Sequence, residues 1–231
     1  NTAVDFDGVE ATFIYGIDAL KDTTSQPLVD GRVWVPEMEM DSLAGFLQTK
    51  WVISDDVIVK AGVRRESIDL SVDDYETLKL CRSETQCSVP LQVTGDTIDY
   101  DATTYNIAIK YNWSDSFSPF FNYSQGSDIA DIGRLLRAAT VDDIGLIQTE
   151  ASIIDNYEVG FTSLFDQVRL DVAAYRSTSE LGTTNSFNEV TGVYEPVRAP
   201  QEIWGYEGLV DYRISETLNV VATYSYVEGK N

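Results

Sequence analysis

The chain holds two cysteines, Cys81 and Cys87, separated by five residues inside a long polar stretch, and it holds no histidine. A zinc site needs four closely spaced sulfur, nitrogen or carboxylate ligands, and neither a second cysteine pair nor an imidazole is present to complete one. The two thiols read instead as a local disulfide formed in an oxidising, extracytoplasmic compartment, with two unrelated free thiols as the alternative. Closing so short a loop contributes only about 2 kcal/mol on the chain-entropy model, so the bond would serve to pre-shape a loop tip. The other groups able to do chemistry are carboxylates: 38 Asp and Glu against 16 Lys and Arg, a formal net charge of −22. None stands beside a histidine or an activatable nucleophile, so no residue is assigned a catalytic role and the chain is not read as an enzyme. Asp142-Asp143 could draw calcium, yet no loop repeats the oxygen spacing of a calcium loop, and no metal or cofactor site is assigned. The charge excludes a nucleic-acid partner, because phosphate binding needs a basic surface. It is shared between strand-like and loop-like regions, which suits solubility or habitat better than a binding device.

The elements that must position these groups are β-strands. Thr103, Tyr105, Ile107, Ile109, Tyr111 and Trp113 share one face of a run whose other face carries Thr104, Asn106, Lys110 and Asn112. The runs 217–228, 157–162 and 204–214 alternate in the same way. About nine such segments are predicted, near 9–20, 40–53, 57–71, 98–113, 117–125, 153–165, 168–178, 202–214 and 217–228, each meeting or exceeding the roughly 9–11 residues of a tilted membrane strand. The gaps between them alternate in length. Short ones fall at Ile53–Val57, Trp113–Phe117, Phe165–Val168 and Ile214–Leu218, and long ones near 22–40, 72–96, 126–150 and 178–200. Tight turns at one end and long excursions at the other predict an all-β, antiparallel, up-and-down transmembrane barrel.

Trp51, Trp113, Phe117 and Phe165 lie within a residue or two of the short turns, as an interfacial aromatic girdle requires. The alternative is a soluble sandwich with these rings closing its core. The polar faces carry Lys50, Lys60, Arg64, Lys110, Glu158, Arg169 and Asp211, which a water-filled lumen tolerates. In 57–72 the apolar set Val57, Val59, Ala61, Val63 passes to Ile68, Leu70, Val72, predicting either a bulge or a strand leaving the membrane near Arg64–Glu66. No run of the roughly 18 apolar residues needed by a helical span occurs. The sequence shows no initiator methionine, no leader and no closing strand with a terminal aromatic. Nine strands would leave two open edges, so residues 1–231 are expected to be an internal part of a larger barrel.

Four stretches resemble the TonB-dependent outer-membrane receptors. Phe117-Ser118-Pro119 through Tyr123-Ser124-Gln125-Gly126, followed by Asp131-Ile132-Gly133-Arg134-Leu135, is similar to their SP…YSQGF…PDIG-x-L segment. Asp155-Asn156-Tyr157-Glu158-Val159-Gly160 resembles their NYE-x-G strand. Gly205-Tyr206-Glu207-Gly208 through Tyr224-Ser225-Tyr226-Val227-Glu228-Gly229 resembles their G-x-E…YSY-x-x-G hairpin, and Ala61-Gly62-Val63-Arg64-Arg65-Glu66 their aGVRYE strand. The four stand in family order over most of the chain. At Ser127-Asp128-Ile129-Ala130, where the family usually has an aromatic and a proline, the sequence departs from the pattern.

The resemblance implies a partial set of strands from a 22-stranded barrel whose lumen a plug fills, with the plug, the TonB box, and the first and last strands outside this sequence. It implies residence in the outer membrane among its lipid, capture of a scarce ligand, usually a ferric siderophore, and uptake energised through the TonB complex. Ligand contacts in such receptors favour arginine and aromatics near the mouth, which singles out Tyr75, Arg82, Arg134, Arg137, Tyr194 and Arg198. For Arg134 and Arg137 the alternative is a short amphipathic turn in which Ile132, Leu135 and Leu136 pack and the arginines stay solvated or pair with Asp128 and Asp131. The lack of histidine disfavours haem, which generally needs an axial imidazole. Two other functions stand beside uptake: a passive diffusion barrel and a soluble β-rich surface binding module.

Overall fold

The computed structural model describes residues 1–79, 81, 87–129, 132–137, 139–146, 150–188 and 193–230, and the side chains of 182–198 are not among those described. Ten strands form one sheet in sequence order: β1 (Thr2–Phe6), β2 (Val9–Pro27), β3 (Val33–Val52), β4 (Val57–Val72), β7 (Asp96–Tyr111), β8 (Phe117–Asp128), β9 (Ser152–Phe165), β10 (Val168–Asn188), β11 (Val193–Ser215) and β12 (Leu218–Lys230). Every pairing is antiparallel. Between β4 and β7 lies a two-stranded ribbon, β5 (Tyr75–Glu76) and β6 (Gln92–Val93). Between β8 and β9 lie a short helix, α1 (Ile132–Arg137), and a single 3-10 turn (Ile144–Leu146). The sheet is not closed on itself, and β1 and β12 are its edges.

The sheet has one strand more than alternation alone suggests. β1 is five residues long and joins β2 through Asp7-Gly8, both with positive φ (54° and 93°), the geometry of a two-residue hairpin. Two of the expected long excursions are strands as well. β2 and β3 run on to a tip at 28–32, closed by Leu28 N–H to Arg32 O (2.7 Å) and Gly31 N–H to Leu28 O (2.9 Å). The β10–β11 ladder continues past an irregularity at Ser179/Gly182 to the Asn188–Val193 pair.

The ladders assign the faces. On β4, Val57, Val59, Ala61 and Val63 oppose Tyr111, Ile109, Ile107 and Tyr105 of β7 on what we call the outward face. Lys60, Arg64 and Glu66 lie on the other, inward face, and the β4 ladders show no register shift on either side. The predicted bulge is therefore absent, and the alternative reading of 57–72 holds. Beyond Val63 the outward positions become Arg65, Ser67, Asp69 and Ser71, while the inward positions become Ile68, Leu70 and Val72. β7 inverts in step, with Thr103, Asp101 and Asp99 outward and Tyr100 and Ile98 inward. An apolar outer band giving way to polar residues is what a strand shows on leaving hydrocarbon for water.

Aromatic rings mark both limits of that band. At the short-turn end Trp51 meets Phe6 and Phe13 (centroids 6.0 and 5.6 Å), Tyr111 meets Trp113 (5.8 Å) and Phe117 meets Phe161 (5.2 Å). At the other end Tyr123 meets Tyr157 (5.0 Å) and Tyr226 meets Trp204 and Tyr206 (5.5 and 5.4 Å). On the outward face ion pairs begin at and just past this second row, with Lys21 between Glu39 and Asp41, Arg65 beside Asp101 (3.4 Å) and Arg176 beside Glu202 (3.0 Å). Outward side chains such as Ile17 and Trp113 are 79% and 71% exposed, a burden in water and a match for lipid.

Candidate ligand-binding site at the outer mouth

The inversion on β4 and β7 creates an apolar surface on the inward wall above the membrane level, and two excursions cover it. Leu70, Val72 and Tyr100 pack with Val93 from β6, Ile132 and Leu136 from α1, and Ile144 from the 3-10 turn. Leu136 and Ile144 are fully buried. The β7–β8 ladder ends at Asn106–Ser124, and the chain leaving β8 beyond Asp128 supplies α1 to this cluster. The result is a cap seated on the inward wall at the long-loop end.

Polar contacts fix the cap in place. Gly95 N–H donates to Asp74 Oδ1 (2.7 Å), and a Cβ at Gly95 would stand 2.2 Å from Val72 O, so only glycine fits that crossing. Thr94 N–H donates to Asp142 O (2.8 Å) and Ile144 N–H to Thr94 O (3.2 Å), joining the two excursions. Asp143 Oδ1 accepts Gly145 N–H (2.8 Å), so this carboxylate shapes a turn. Tyr75 donates its hydroxyl to Leu136 O (2.8 Å), and burial pushes its pKa up to about 12. Cys81 and Cys87 are disulfide-bonded in the same excursion, with Cα atoms 3.9 Å apart.

Among the six residues singled out from the sequence, the structure brings three together. Tyr75 and the half-buried Arg134 and Arg137 belong to the cap, with the Tyr75 hydroxyl bonded to the carbonyl of the residue preceding Arg137. The Arg137 guanidinium lies 5.4 Å from the centre of the Trp34 ring, a cation–π contact from α1 to β3. α1 is amphipathic in the expected sense, with Ile132 and Leu136 buried and Leu135 packed against the cluster. Arg82, and Asp131 expected near Arg134, lie outside the described residues. Tyr194 and Arg198 are placed by backbone only, opposite Phe187 and Thr183 in the projecting β10–β11 pair. A cavity of about 170 Å³ lies between α1 and the wall, lined by Asp22, Thr24, Met38, Met40, Leu70 and Ile132 among others. Trp34, Met38 and Met40 were not singled out from the sequence. The signal available was a tryptophan and two methionines inside a stretch expected to be loop.

A ten-stranded antiparallel sheet with two aromatic rows, short turns at one end and a cap folded onto its inward wall at the other agrees with the comparisons. The family model described as TonB dependent receptor-like, beta-barrel, matches residues 2–231. The chain belongs to this family. Its members are outer-membrane proteins, and they are transporters, not enzymes. Similar curated proteins include the ferric aerobactin receptor of Klebsiella pneumoniae (25% identical over 223 residues, 84% of this chain and 29% of that protein). The rhizobactin receptor of Rhizobium meliloti is 21% identical over 202 residues, 80% of this chain and 26% of that protein. Among solved structures, the copper transporter OprC superposes with a TM-score of 0.75 at 13% identity, over 99% of this chain and 37% of that one. The ferric yersiniabactin uptake receptor FyuA of Yersinia pestis gives a TM-score of 0.67 at 13% identity, over 99% and 34%. These structural likenesses show a shared fold. The chain spans less than a third of the length of the curated relatives it matches.

Proposed function

We propose that this TonB-dependent receptor segment forms part of the wall and mouth of a transporter that takes up a ferric siderophore across the outer membrane, energised through TonB. The observation that carries this reading is the cap. Register places it on the inward wall at the long-loop end, where a ligand entering from outside would meet it. It offers the cationic Arg134 and Arg137, the Trp34 ring and an apolar cleft, groups suited to an anionic chelate with an organic frame. The ferric aerobactin and rhizobactin receptors among its relatives support the same ligand class. Residues 1–231 are proposed to contribute strands to a 22-stranded barrel, with plug and TonB-contacting segment supplied by the rest of the protein. Tyr75, Arg82, Arg134, Arg137, Tyr194 and Arg198 remain the proposed ligand contacts, Tyr75 acting chiefly by holding the cap. A soluble surface module does not fit membership of an outer-membrane family.

Expression of the whole protein in an iron-starved outer-membrane host, on a panel of ferric siderophores, tests the proposal. Growth restored by one chelate and lost without TonB is the expected result. Rescue independent of TonB would point to passive diffusion, and no rescue by any chelate with the protein inserted would contradict an iron-chelate ligand.

A further inference from the structure

The chain's two methionines, Met38 and Met40, stand two residues apart on β3, and both face inward beneath α1. They line the cavity of about 170 Å³ between α1 and the wall. In the ladder Met40 stands between Asp22 and Leu70, and Met38 between Thr24 and Val72. Leu70 and Ile132 are buried, Met38, Met40 and Ile129 are partly buried, and Asp22 and Thr24 are exposed. The space is therefore apolar except along β2, where the Thr24 hydroxyl donates to Asp22 Oδ2 (3.1 Å). Its lining includes one carboxylate and, among the described residues, no lysine or arginine. An anionic group gains nothing there. Protein interiors are close-packed, so a gap kept open beside a packed core has room for an apolar guest. Methionine suits such a site, because its flexible, polarisable side chain adapts to the guest's shape. The cap's cation lies apart from it: Arg137, at the far end of α1 from Ile132, stands over the Trp34 ring, four residues from Met38 toward the hairpin tip.

We propose that this cavity takes a linear alkyl chain, so that the ligand is a ferric siderophore carrying an acyl tail, with its anionic head beside Arg137 and Trp34 and its tail under α1. The inference rests on the proposed uptake of a ferric siderophore and narrows its class. Charge separates the two halves of the ligand. The guanidinium and ring hold the head, and the cavity, with Asp22 at its margin, favours an uncharged chain. Shape agrees, since the space lies between a helix and a sheet, with Ile132 and Gly133 on one side and Leu70 and Met40 on the other. A chain seated there would touch cap and wall together.

The test uses the whole protein in outer-membrane vesicles, with binding corrected for uptake by vesicles lacking it. The probes are radio-iron complexes of a synthetic citrate dihydroxamate, one arm acylated with acetyl, butanoyl, hexanoyl, octanoyl or decanoyl, and radiolabelled decanoate as a chain without a head. Affinity for the chelates is expected to rise about fourfold per added methylene until the cavity is full. Met40→Trp, which fills the cavity, should flatten the series, and Met40→Ala, which enlarges it, should extend the rise to longer chains. Heat-modifiable migration on gels confirms that each barrel has folded, and either variant decides should the other not fold. A wild-type series that stays flat would overturn the tail site and leave the siderophore reading intact. A rising series that neither variant alters would place the chain elsewhere and overturn the site as well. Decanoate bound, and weakened by Met40→Trp, with no chelate bound would keep the alkyl site and defeat the siderophore reading.

Discussion

On the inward wall a glycine repeatedly stands opposite a large side chain: Gly16 opposite Phe46, Gly160 opposite Phe120, Gly205 opposite Tyr175. A Cβ at Gly160 would lie 2.7 Å from the Phe120 ring and 2.4 Å from Val172 O, and one at Gly205 would lie 2.6 Å from Tyr175 Oη. Each large side chain therefore leans over its glycine along the wall. Gly160→Val is expected to cost about 1–3 kcal/mol through overpacking, read from urea unfolding of the whole protein in lipid vesicles. The two faces should also differ in their tolerance of charge. Ile109→Arg, at the middle of the outward band, is expected to cost about 2–4 kcal/mol, and Asn106→Arg on the inward face far less. Equal cost at both sites, in the same unfolding experiment, would contradict the face assignment. Alternation in the sequence was enough to read these faces, because each ladder position simply continues a period of two. The glycine partners were not legible, since they depend on which residue of the next strand stands opposite.

The strands were largely legible, and their interruption by the cap was not. Val57 to Val63 and Ile68 to Val72 are both apolar runs of period two, out of phase by one residue. A bulge and a change of surroundings leave the same trace in a single strand. Only the unbroken ladders on both sides of β4, and the apolar residues from 91–144 seated on Leu70 and Val72, separate them. The expected loops at 22–40 and 178–200 proved to be ladder because the two arms of each excursion pair with one another, a pairing that the many polar residues of 22–32 and 178–188 do not mark in the sequence. β1 was marked by Asp7-Gly8, a strong hairpin signal that alternation over five residues is too short to support. The cap has a pH dependence that can be checked. Tyr75 is raised from 10.0 to about 12, so its neutral hydroxyl favours the docked cap. That contribution is fully present below about pH 10 and is lost as pH rises from there through about 12, where the undocked phenol ionises first. With the other tryptophans replaced by phenylalanine, Trp34 emission should hold steady to pH 9 and change above pH 10. Tyr75→Phe should remove that alkaline transition, and its persistence would assign the change to another group.

Family and class were legible because barrel physics orders the whole chain. Turn lengths alternate, one face of every strand is apolar, and rings collect where that face ends. The second aromatic row, Tyr123, Tyr157, Trp204 and Tyr226, is not apparent along the chain because its members come from four strands and align only in register. Ligand contacts were the least legible, since they sit where 72–96 and 126–150 meet and no local period governs either. Every conclusion about the mouth rests on one geometric claim, that β4 leaves the membrane near Val63 without a bulge and carries the cap on its inward face. The most direct measurement is a spin-label scan along β4 of the whole protein in lipid, from Val57 to Val72, reading access to oxygen and to a water-soluble relaxant. Oxygen access is expected at Val59 and Val63, water access at Ser67 and Ser71, and protection from both at Leu70. Oxygen access that shifts to Ile68 and Leu70 would mean a bulged strand still in lipid, and would contradict that claim.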